Sequence, residues 1–111
     1  MTYDHALEAR LDELSLYWPG IGKKKMFGGM GYLLNGNLTF AIWKDHLVVR
    51  CGAAAHARCL ALPGVSPFDA TGRPMSGWVM VAPEVLDSDE SLRAWMEQGR
   101  DFAVTLEARA E

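Results

Sequence analysis

The chain has 111 residues, half of them hydrophobic and 23% charged. That is the size and make-up of one folded domain, spanning 1–111, and it excludes a disordered or collagen-like chain. A net charge of −3 argues against a uniformly basic nucleic-acid binder and leaves room only for a local basic patch. Two cysteines cannot staple a disulfide-rich scaffold, and four tryptophans speak for a filled core, an aromatic interface, or both. No stretch of about 18 apolar residues exists, so no membrane span is expected. The start, Met1 to His5, lacks the basic and apolar runs of a secretory leader. A cytoplasmic protein with reduced Cys51 and Cys59 is the expectation.

Residues 2–18 read as a helix. Tyr3, Leu7, Leu11, Leu14 and Trp18 recur at three- and four-residue spacing, Thr2 or Asp4 can cap the start, and Pro19-Gly20 ends it. Three strand-like runs follow, Met30–Leu34, Leu38–Trp43 and Leu47–Cys51. Asn35-Gly36 predicts a tight hairpin between the first two, because both positions of a type I′ turn need positive φ. Lys44-Asp45 makes the next turn. The strands are apolar on both faces, so the sheet is expected to be covered on both sides. Ala53–Leu62 reads as a short helix stopped by Pro63-Gly64. Pro67, Gly72, Pro74 and Gly77 make 65–77 a shaped loop, with a short edge strand near Phe68. Trp78–Val81 is a strand. Ser88 or Asp89 caps a last helix running to about Ala108, with Leu92, Trp95, Met96, Gly99, Phe102, Ala103 and Leu106 along one stripe. The order α-β-β-β-α-β-β-α predicts a two-layer α+β domain, an antiparallel sheet of about five strands with flanking helices.

Two segments carry a family resemblance. Lys24-Lys25-Met26-Phe27-Gly28-Gly29 resembles the signature of the TfoX/Sxy N-terminal domain family. Gly72-Arg73-Pro74-Met75-Ser76-Gly77-Trp78-Val79 resembles a second hallmark of its short, stand-alone members. Arg50 falls where the family tends to carry a basic residue. The resemblance implies a curved antiparallel sheet with flanking helices, of the secretion-chaperone-like kind, and a fold that often dimerises. It also implies a regulatory role through contacts with other proteins. Members with a known role regulate natural competence beside a cyclic-AMP receptor type activator. Those members carry a second, C-terminal domain, for which 111 residues leave no room.

Lys23, Lys24 and Lys25 form the only basic run. With Arg50 and Arg73 they are the candidate contact to an anion or a partner. The plainer reading makes the lysines a solvated loop beside a sheet edge and pairs each arginine with a nearby carboxylate such as Asp69, Asp45 or Glu84. Gly28, Gly29 and Gly31 precede a strand, so they are a bend rather than a dinucleotide fingerprint. Met26, Phe27, Met75 and Trp78 read as packing around the motif loops, with an exposed aromatic–methionine patch as the sharper alternative. Trp43, at a strand end, is a candidate interface ring. His5, His46 and His56 lack metal-ligand spacing, and no catalytic motif is present, so no metal and no cofactor are expected. Cys51 alternates with Leu47 and Val49 and reads as a buried thiol. The leading expectation is a non-enzymatic interaction module with a protein partner, a second copy included. Weak nucleic-acid or small-anion binding and an uncharacterised enzyme stay open as alternatives.

Overall fold

The computed structural model describes residues 3–26, 28–69 and 75–108. Thr2, Phe27, Gly72, Arg73 and Pro74, named above, lie outside the described residues. Helix α1 covers His5–Leu14. Strands β1 (Ile21–Met26), β2 (Gly29–Leu34), β3 (Asn37–Trp43) and β4 (His46–Arg50) follow as a meander. A 3-10 turn, Ala53–Ala55, leads into α2 (His56–Leu60). Strands β5 (Val65–Pro67) and β6 (Trp78–Val81), a second 3-10 turn (Pro83–Leu86) and α3 (Asp89–Ala103) complete the order. The six strands form one antiparallel sheet in the order β1-β2-β3-β4-β6-β5.

The α+β architecture matches the reading of the sequence, and three details differ. The first helix is shorter at both ends. Asp4 caps it, its Oδ1 accepting from the amides of Ala6 and Leu7 at 2.9 and 3.1 Å. Ser15 ends it, its hydroxyl donating to the Leu11 carbonyl at 2.7 Å. The chain then turns so that Trp18 meets Phe40 edge-on at 6.1 Å and the Arg100 guanidinium at 4.6 Å. Second, the last helix stops at Ala103. Val104 and Thr105 are β-branched, the Thr105 hydroxyl donates to the Phe102 carbonyl, and Asn37 Nδ2 holds the Glu107 carbonyl at 2.8 Å. Third, the lysine run is a strand and not a loop, so the sheet has six strands rather than about five.

Sheet pleating sorts the residues into two layers. Met30, Tyr32, Phe40, Ile42, Leu47, Val49, Val79 and Val81 point to the helices, where they bury against Leu7 and Leu11 of α1 and Leu92, Trp95 and Met96 of α3. Ala41, Val48, Trp43, Trp78 and Met80 take the opposite face, where they pack around Phe68 with Met75. Both faces are covered, as the apolar alternation implies, but the second cover is thin. Asn35 and Gly36 hold positive φ of 52° and 82°, the geometry of the hairpin that Asn-Gly favours.

The helix layer sits close to the sheet. A Cβ on Gly99 of α3 would overlap the carbonyl oxygen of Thr39, a backbone atom that no rotamer change can move. Alanine in a helix is worth about 1 kcal/mol over glycine. Overpacking costs about 1–3 kcal/mol. The overlap with backbone decides the sign, so Gly99→Ala should lower stability, by up to about 2 kcal/mol, in urea unfolding. An unchanged or higher midpoint would show that α3 stands further from β3 than described.

Candidate functional site

The pleat divides the lysines. In β1, Lys23 pairs with Tyr32, Lys24 with Gly31 and Lys25 with Met30. Paired residues share a face, so Lys23 and Lys25 project toward the helix side and Lys24 toward the other. Lys23 is committed within the fold. Its Nζ donates to Glu8 Oε2 at 2.7 Å and to Asp12 Oδ2 at 3.0 Å, and lies 5.6 Å from the Tyr32 ring centroid. The Tyr32 hydroxyl donates to the other Asp12 oxygen at 2.7 Å. Burial alone would lower the Lys23 pKa, but the bonds to Glu8 and Asp12 outweigh it and raise the value. The hydrogen bond from Lys23 holds the Glu8 carboxyl below its usual range. Burial, joined by the bond to Asp12, pushes the Tyr32 hydroxyl upward. Glu8 and Asp12 sit four residues apart and so share one helix face, a spacing visible in the sequence once a cation is sought opposite it.

Lys24 and Lys25 are exposed. Arg50 is elsewhere. Three strand spacings separate β4 from β1, which places Arg50 roughly 14 Å or more from Lys24. Its guanidinium stands 5.3 Å from the Trp78 ring and 5.4 Å from Phe102, and donates to the Leu38 carbonyl at 3.5 Å. The lysines and Arg50 therefore do not meet in one pocket. An open cleft of about 340 Å³ lies instead at the start of β1, lined by Gly20, Ile21, Gly22, Lys23, Leu33 and Gly36.

The motif residues within the described segments build structure. Met26 lies over Gly31, where a Cβ would come within 2.8 Å of its sulfur. Gly28 forms the β1–β2 turn, and Gly29 runs so near the Ile42 carbonyl that no side chain fits. Gly77, at φ +86°, joins three segments. Its amide donates to His56 Nδ1 at 2.8 Å, and its carbonyl accepts from the amides of Cys51 and Gly52 at 2.8 and 3.1 Å. Met75 and Trp78 pack around Phe68, whose ring lies 6.5 Å from that of Trp78. Trp43 is half-buried, 6.0 Å from the Phe68 ring and 4.7 Å from Lys44 Nζ.

The other reactive side chains are similarly engaged. His46 bonds its neighbour Asp45 at 2.7 Å, the turn histidine that its position suggests. His56 Nδ1 acts as an acceptor, which fixes its tautomer with the proton on Nε2. Cys51 and Cys59 are buried free thiols. Burial, with the Cys59 thiol beside it, pushes Cys51 up to about 11. Among the described residues no three His, Cys, Asp or Glu side chains cluster as a metal site, and no helix is long and apolar enough to cross a membrane.

Two outcomes follow from these pKa directions. Glu8 is depressed, so its contribution is present above pH 4.5 and lost as pH falls through its folded value. Lys23→Met should cost about 0.5–1 kcal/mol at pH 7 in urea unfolding and less toward pH 2, as Glu8 takes up its proton. An equal cost at both pH values would mean that Lys23 acts by packing alone. Cys51 is raised, so its contribution is present below pH 9 and is lost as pH rises toward 11. Iodoacetamide at pH 8 should label both cysteines far more slowly in the native protein than in urea. Native labelling at the unfolded rate would contradict the burial.

The TfoX N-terminal domain model matches residues 12–103. No curated protein and no solved structure matches the chain. The match spans both motif segments and every strand from β1 to β6, and the chain belongs to the TfoX N-terminal domain family.

Proposed function

We propose that this protein is a cytoplasmic, non-enzymatic module of transcriptional regulation that works through contacts with another protein. One observation carries the reading: β1 stands at the margin of the sheet, pairs only with β2 among the described strands, and holds Lys24 and Lys25 exposed. An unpaired strand edge is a ready template for another chain. The side chains that could serve chemistry have structural duties, Lys23 in its ion pairs, His56 at Gly77 and Cys51 as a protonated thiol. Two free thiols suit a reducing compartment. Family membership supports a TfoX-like module, and a regulatory partner is the extension made here.

The anion-binding alternative gains little from this arrangement. Lys24 and Lys25 diverge across the pleat, so one phosphate cannot engage both from the same side. A photo-crosslinking residue at position 24, followed by rebuilding of the captured complex from purified components, tests the reading. A stable complex weakened by Lys24→Glu is expected. Saturable, salt-sensitive binding of duplex DNA or a nucleotide, with no protein complex that can be rebuilt, would overturn it.

A further inference from the structure

We infer that the outer edge of β1 receives an extended, acidic segment of a partner protein as a seventh strand, read as acid–acid–polar–aliphatic. The inference rests on the protein-contact reading above and names the partner's chemistry. Alternate N–H and C=O groups of an edge strand point away from its one neighbour and supply the main-chain bonds. The side-chain order follows from the register. An antiparallel segment passes Lys25, Lys24, Lys23 and Gly22 in turn. Lys25 and Lys24 are exposed cations on opposite faces, so two consecutive acids meet one each. Lys23 is already held by Glu8 and Asp12, so a third acid would face two carboxylates, and an uncharged polar residue suits that position. Gly22 has nothing within 4 Å of a would-be Cβ and lines the cleft of about 340 Å³ beside Leu33. An aliphatic side chain fills that space.

The same charges argue against a second copy of this chain. Two β1 strands meeting edge to edge would set lysine against lysine, and like charges across a strand pair are destabilising. Lysine on an edge strand is a recognised guard against such pairing. The edge therefore selects for a partner of opposite charge.

The test is a titration of the full chain with an eight-residue peptide containing Glu-Glu-Thr-Val, followed by amide NMR. A Lys-Lys-Thr-Val peptide and a short DNA duplex are the comparison arms. The acidic peptide should shift the β1 amides, weaken with added salt, and lose about tenfold or more in affinity to Lys24→Glu/Lys25→Glu. Arg93→Glu, exposed on α3, should leave binding unchanged. Both peptides binding equally, shifts confined to the Trp43–Trp78 face, or no shift at all would overturn the edge inference while leaving the protein-contact reading in place. DNA shifting the β1 amides where neither peptide does would overturn both.

Discussion

The structure depends on the apolar stripe of α3 lying flat against β3 and β4. Leu92 and Met96 are fully enclosed there, and Gly99 brings the helix down onto the Thr39 carbonyl. Each large side chain so buried contributes about 1.5–3 kcal/mol, which makes this seam a large favourable term in so small a fold. The seam also fixes the parity of the sheet. With Phe40, Ile42, Leu47 and Val49 turned toward α3, their neighbours Ala41 and Val48 must face the other way. Register carries that parity across β2 to β1, where it decides which lysine meets α1 and which does not.

That chain of constraints changes the meaning of the basic run. Three adjacent lysines look like one patch in a linear sequence. In a pleated strand they become one structural cation and two free ones on opposite faces. Lys23 ties β1 to α1 through Glu8 and Asp12, so this edge strand is held by charge as well as by its ladder with β2. Lys24 and Lys25 stand exposed on the edge, where their charge disfavours pairing with a like strand.

Much of this fold was legible from period and punctuation. The Asn35-Gly36 hairpin, the β6 strand at Trp78–Val81, the Ser88 cap and the α3 stripe stand where the sequence places them. Strand β1 was not legible, because lysine has poor strand propensity and Gly22 adds none; pairing with β2 overrides both. Convergence of Lys23–Lys25 with Arg50 was likewise beyond the sequence, since it depends on strand order and pleat parity. The stacking of Arg50 between Trp78 and Phe102 joins residues separated by half the chain. Gly28 was readable as a bend, whereas Gly29 and Gly31 lie within β2, and the role of Gly77 in binding His56, Cys51 and Gly52 needs three segments in place at once.

Residue-resolved amide hydrogen exchange along β1 tests the central claim most directly. An edge strand paired on one side only predicts alternation over Ile21–Met26, with protected amides toward β2 and fast-exchanging amides toward solvent. Uniformly fast exchange would return the lysines to a loop. Uniform protection would mean that the outer edge is already occupied, and either result would contradict the account.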